Sequence, residues 1–108
     1  MASRTINGLD VKVTNPQGEL HNDENKVTLE FHDGETGDLV DVGKVAFALN
    51  MSMPGMLMRS PASIQATSTP GRYLADVKPD MVGDWNGVIS YDGPRGQGEV
   101  HLSFSVKD

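Results

Sequence analysis

Apolar side chains in this chain return at every second position, in short runs separated by turn-forming residues. Val27, Leu29 and Phe31 form one set, Val45, Phe47 and Leu49 a second, and Val100, Leu102, Phe104 and Val106 a third. A two-residue period sends alternate side chains to opposite faces of an extended backbone, so each run reads as a strand with one buried face. The three- and four-residue spacing that a helix needs never extends beyond one turn. The chain is therefore expected to be all-β.

Weaker alternations fill the gaps. Leu9, Val11 and Val13 open the pattern, and residues 73–77 and 85–91 continue it. Residues 63–68 are polar and β-branched, which suits an edge strand. Thr69-Pro70-Gly71-Arg72 has Pro then Gly at its centre, the signature of a type II turn. Residues 92–98 (Asp-Gly-Pro-Arg-Gly-Gln-Gly) read as a loop. About seven strands with turns between them predict a single-domain β-sandwich over residues 1–108, with residues 1–4 an unstructured start. In that sandwich the odd-numbered faces of 27–31 and 45–49 are expected to pack against the even-numbered face of 100–106. Phe31, Phe47, Phe104, Tyr73 and Trp85 are the candidate core aromatics.

Composition removes several function classes. The 108 residues include no cysteine, so there is no disulfide framework, thiolate metal site or thiol nucleophile. Nine Lys and Arg stand against fifteen Asp and Glu, a net charge of −6, and the basic residues are scattered singly. Nucleic acid needs clustered cations to displace phosphate counterions, so no nucleic-acid partner is expected. No apolar run approaches a membrane span, and Met-Ala-Ser-Arg is not the start of a signal peptide. The domain is thus either cytoplasmic or the mature part of an exported protein, with room for a leader or membrane anchor before residue 1.

One segment departs from ordinary core composition. Residues 50–58 (Asn-Met-Ser-Met-Pro-Gly-Met-Leu-Met) hold four of the six methionines, Met51, Met53, Met56 and Met58, around a Pro-Gly turn. Thioether sulfur is soft and neutral, so it selects Cu(I) or Ag(I) over harder ions and needs no deprotonation. Met51 and Met53 continue the parity of Val45, Phe47 and Leu49, with Cα atoms about 6.5–7 Å apart. Sulfurs sharing one metal must lie within about 4.6 Å of each other, a gap that three flexible torsions can close. The same facts fit two other roles: gap filling at the end of the core, or a soft surface for a protein partner.

The run 45–56, with its Met-Ser-Met-Pro-Gly-Met ending, resembles the Met-rich stretch of the YtkA-like domain family, related to FixH-like proteins. Ala66 to Ala75, with Pro70, Gly71 and Tyr73, and the run from Met81 through Gly83 and Trp85 to Val88 are similar to two further family motifs. The resemblance spans about residues 25–107. It implies an immunoglobulin-like antiparallel sandwich, periplasmic or otherwise extracytoplasmic, associated with metal exporters or with assembly of copper-containing oxidases. The family's His after the Met-rich turn has no counterpart here, since Leu57-Met58-Arg59 stands there. That points away from a mixed Met/His site and from tight Cu(II) binding.

The remaining candidates are fewer. Met81 reads either as a ligand from across the sandwich end or as a core residue. Trp85 reads as core, or as a ring beside a bound Cu(I). His21, His32 and His101 read as solvated. No nucleophile elbow, zinc-helix motif or phosphate loop occurs, so no enzymatic activity is expected. The expectation is a monomeric extracytoplasmic accessory or chaperone domain binding Cu(I) or Ag(I) through Met51, Met53, Met56, Met58 and Met81. The alternative is a metal-free interaction module using the same loop.

Overall fold

The computed structural model describes residues 2–15 and 18–108, apart from the side chains of Ala2 and Met53. Ten strands run in order: β1 (Ala2–Ile6), β2 (Leu9–Thr14), β3 (Leu20–His21), β4 (Asn25–Asp33), β5 (Lys44–Met53), β6 (Met56–Pro61), β7 (Ser63–Ala66), β8 (Arg72–Val77), β9 (Gly83–Gly93) and β10 (Gly96–Lys107). They form two five-stranded sheets, ordered β1-β2-β4-β8-β7 and β3-β10-β9-β5-β6. All pairings are antiparallel except the short β3–β10 contact. Within this order β2-β4-β8-β7 and β10-β9-β5 reproduce the two sheets of an immunoglobulin-like sandwich.

The seven strands expected from the alternation are β2, β4, β5, β7, β8, β9 and β10, and β7 is at a sheet edge as its polar sequence demands. The other three, β1, β3 and β6, have too little apolar alternation to announce themselves. Residues 2–4, expected to be unstructured, belong to β1 and pair with Val13, Lys12 and Val11 of β2. Residues 92–98, expected to be a loop, are mostly strand: Gly93 pairs with Gly96, leaving only Pro94 and Arg95 unpaired. The face assignment also needs correction. β5 and β10 share a sheet, and both face β4 across the core rather than each other.

That core follows the parity of the sequence. Val27, Leu29 and Phe31 are fully or nearly buried from one side, and Phe47, Leu49, Val100, Leu102, Phe104 and Val106 from the other. Phe31 meets Tyr73 within its own sheet and Tyr91 across the interface, edge-on at 5.8 and 5.9 Å between ring centroids. In a chain without cysteine, these rings and the surrounding hydrocarbon hold the sheets together. Each such aromatic pair adds about 0.5–1.5 kcal/mol beyond burial alone.

One glycine is obligatory for this packing. Gly87 sits mid-strand in β9 on the buried face, and a Cβ there would lie 2.3 Å from Phe104 Cε2 and 3.2 Å from Phe47 Cε1. The missing side chain is the space in which the Phe47 and Phe104 rings meet, 5.9 Å between centroids. Gly87→Val is expected to destabilise the fold by about 3 kcal/mol or more, through overpacking against rigid rings. Urea unfolding should show a lower midpoint, while Gly96→Ala, with no heavy atom near its Cβ position, carries only backbone strain at φ +90°.

On the outer face of the first sheet, Glu30 accepts from Arg72 Nε at 2.7 Å and lies 3.2 Å from His32 Nε2. Burial pushes the Glu30 carboxyl upward, but the hydrogen bonds and charges of Arg72 and His32 outweigh it and hold the group below its ordinary value. A lowered carboxylate pKa contributes stability that is present above the unfolded value and lost as pH falls through the folded one. Glu30→Gln should therefore remove a contribution of under about 1 kcal/mol at neutral pH, the group being partly exposed. The variant and the parent should converge in stability as pH falls through and below the ordinary carboxylate range, measured by unfolding across pH.

Candidate metal centre

β5 pairs with β9 only as far as Asn50 opposite Asn86. Beyond that point residues 51–58 pair only with one another, so the end of the β5–β6 hairpin leaves the sheet as a two-stranded ribbon. Pro54 and Gly55 turn it, with Gly55 at φ +74°, a conformation that glycine adopts without steric cost. Register then decides where the sulfurs start. Met51 is opposite Met58, and position 53 is opposite Met56. Directly paired residues share a face, as do positions two apart on a strand. All four methionine positions therefore lie on one side of the ribbon, the side continuous with the buried face of β5.

Their environments are graded along the ribbon. Met51 is buried, at 8% exposure, and belongs to the core cluster. Met58 is half-buried and packs against that cluster. Met56 is 57% exposed at the tip. Position 53 is fixed by register, while its side chain lies outside the described residues.

The fifth candidate arrives on the strap between β8 and β9. Two hydrogen bonds anchor this strap, and the residue at its end meets the ribbon. Ser60, buried on the inward face of β6, donates from Oγ to the Lys78 carbonyl at 3.2 Å. The Trp85 indole donates from Nε1 to the Met81 carbonyl at 3.0 Å. A Cβ at Gly83, the first residue of β9, would lie 2.9 Å from Met51 Cε, so the backbone where the strap enters β9 passes close to that methyl. Met81 is 39% exposed and is thus not a core residue. Trp85 is buried at 2% and, besides packing, fixes the backbone that carries Met81.

The histidines are elsewhere. His32 and the Asp33–Arg95 ion pair lie at the opposite end of β4 from Asn25, far from the ribbon. His21 shares the ribbon's end of the sandwich but stands on β3, four places from β6, which is about 19 Å at ordinary strand spacing. His101 is on the outer face, with Nε2 2.7 Å from Glu99 Oε1. Among the described residues, no three His, Asp or Glu side chains are grouped closely enough to hold a metal. The donors that the register places together on the ribbon are thioethers, which suit a soft monovalent ion and match Cu(II) poorly.

A family model described as YtkA-like matches residues 3–90, most of the described sandwich. The chain belongs to the YtkA-like family. The match begins well before residue 25, where the resemblance in the motifs starts, and so takes in β1 and β2 as well. No curated protein sequence matches the chain. Among solved structures, the YtkA-like domain is similar to FetP of uropathogenic Escherichia coli, as isolated after recombinant expression in the periplasm. The TM-score is 0.63 at 15% identity, covering 98% of this chain and 93% of that one. A copper-bound variant of the same FetP is similar at a TM-score of 0.60 and 11% identity, covering 96% and 93%. These likenesses establish a shared sandwich fold.

Strap and ribbon should be mechanically linked through Gly83. Gly83→Ala places a methyl 2.9 Å from Met51 Cε, closer than carbon atoms pack, and demands φ +143° of an L side chain. The expected result is a shifted Met51 methyl resonance and a loss of about 1–3 kcal/mol in stability. An unchanged Met51 signal in methyl NMR spectra would contradict the contact.

Proposed function

We propose that this YtkA-like domain is an extracytoplasmic accessory domain that carries Cu(I), or Ag(I) in its place, on the thioether face of the β5–β6 ribbon. The single observation behind this reading is the register that puts Met51 opposite Met58 and position 53 opposite Met56 on one side of a projecting hairpin. Copper is cargo here, acquired and released without turnover. The copper-bound FetP variant of like fold supports a metal role, and the periplasmic expression of FetP supports a site outside the cytoplasm. A recipient such as a metal exporter or a copper-oxidase assembly protein fits a carrier whose donors are neutral and readily exchanged.

The grading of exposure divides the labour among the donors. Met51, committed to hydrocarbon and to Gly83, is the base of the site rather than its exchanging ligand. Met56 at the tip and Met81 on the strap are the donors that an incoming ion reaches first, with half-buried Met58 between them and Met51. Met56→Leu keeps nearly the same volume while deleting the sulfur, so it separates ligation from packing.

A second reading has its own support. Among the described residues, Met56, Leu57, Met81 and Val82 are four of the five large apolar side chains that are exposed, at 57%, 69%, 39% and 47%. Leu57 cannot ligate, and its exposure suits a partner surface rich in adaptable Met. An anaerobic Cu(I) titration followed by methionine methyl NMR discriminates between the two. The metal reading expects large, saturable shifts at Met56 and Met58 and a smaller one at Met51, with the Met56 response lost in Met56→Leu. If no methionine methyl moves, the metal reading falls and the ribbon is a protein contact surface.

A further inference from the structure

We propose that Met56 and Met81 are an oxidation site, through which a peroxide switches off soft-metal binding while the sandwich stays folded. This deepens the metal reading above and rests on it. Among the described residues the oxidisable sulfurs divide sharply. Met56 and Met81 are open to solvent at 57% and 39%, whereas Met51 is at 8% with its methyl against Gly83. There is no cysteine anywhere in the chain to react first, and the one tryptophan is buried. An oxidant approaching this domain therefore meets rim thioethers before any other readily oxidised group that the structure describes.

The step is a two-electron oxygen-atom transfer. The thioether lone pair attacks one oxygen of hydrogen peroxide, the S–O bond forms as the O–O bond breaks, and a proton passes to the departing oxygen, which leaves as water. Sulfur is oxidised by two electrons and peroxide is reduced by two. The product, methionine sulfoxide, is a polar and reversible modification. It presents a hard oxygen where a soft sulfur donor stood, which disfavours a monovalent soft ion.

Position determines why the fold survives. At Met56 and Met81 the new oxygen stays in water and needs no protein partner. At Met51 it would be buried among hydrocarbon without a hydrogen-bond donor, which is costly. Neither the Trp85 bond to the Met81 carbonyl nor the Ser60 bond to the Lys78 carbonyl involves a thioether, so the strap keeps both anchors. Metal and oxidant also compete for the same lone pair, so a bound ion shields the sulfur from attack.

The test uses the whole folded chain, with Ag(I) as a soft probe that, unlike Cu(I), is not oxidised by peroxide. Limited hydrogen peroxide treatment, followed by quenching, digestion and mass spectrometry, should show one oxygen added at Met56 and Met81 several-fold faster than at Met51. Prior saturation with Ag(I) should slow the reaction at Met56. The oxidised protein should bind Ag(I) about ten-fold more weakly or worse, with an unchanged far-UV spectrum and unfolding midpoint. In Met56→Leu/Met81→Leu, peroxide at the same dose should leave residual Ag(I) binding unaltered. Equal oxidation rates at Met51 and Met56, or equal Ag(I) affinity before and after oxidation, overturns the switch. Failure of Ag(I) to bind the unoxidised chain overturns the metal reading itself, and the two failures are thereby told apart.

Discussion

The pairing register of β5 governs this molecule. Its odd-numbered residues face inward opposite Ile89 and Gly87 of β9 on one side and Ser60 of β6 on the other. Shifting that register by one residue would turn Phe47 and Leu49 out to water and bring Ala46 and Ala48 in, at a cost no turn could recover. The burial of Phe47 and Leu49 thus locks the register, and the lock extends down the strand to Met51 and position 53. Four methionines share a face because two side chains farther up the strand must be buried. The candidate site is a continuation of the core by other means.

The same continuity explains the gradient along the ribbon. Where β9 still backs the hairpin, hydrocarbon surrounds the side chains, and where β9 ends, solvent does. Met51 lies just past the last β5–β9 pair, with its methyl against Gly83 at the start of β9, while Met56 is mostly open to solvent. In the proposed carrier, a sulfur held in place by packing and one open to solvent would serve different ends of ion capture. The first would preorganise the site, and the second would let cargo enter and leave without unfolding anything.

Much of this was legible in the chain. Strict alternation with large side chains, as in Val27-Leu29-Phe31, can satisfy only a strand buried on one face, and those strands stand where the pattern places them. The Pro70-Gly71 turn is likewise as read, with Gly71 at φ +86° and Arg72 N bonded to the Thr69 carbonyl. What eluded the sequence was pairing of strands without apolar payload. β1 is Ala-Ser-Arg-Thr-Ile and exists by hydrogen bonding to β2, and the glycines of 92–98 look like loop although they make ladder. Gly93 and Gly98 in fact leave room for close neighbours, the backbone of Val42 in one case and the Tyr91 ring in the other. At the site, the cluster was visible as composition and Met81 as a candidate from across the sandwich end, but the anchoring of the strap was not. Ser60 and Lys78 carry no chemical signature, and only the fold joins them.

The separation of charge from softness in this structure bears on how such a domain could work across conditions. The titrating groups held off their ordinary values are Glu30, Asp33 and Tyr73, all on the first sheet. Backbone N–H groups of Glu35 and Thr36, with Arg95 behind them, keep the Asp33 carboxyl low, and burial with the nearby Asp41 charge keeps the Tyr73 phenol high. Each of these lies toward the end of the sandwich where β4 finishes and β5 begins. The ribbon is at the other end of β5, in the other sheet, and its donors do not titrate at all. The two carboxylates held low, Glu30 and Asp33, thus stand away from the ribbon, whereas a thiolate or imidazole site would lose affinity directly as its ligands took up protons. A domain with a net charge of −6 also attracts cations of every kind by long-range field. Field alone cannot choose among them, so in the proposed role the choice would rest with the neutral sulfurs, which favour the ion that polarises rather than the one most strongly charged.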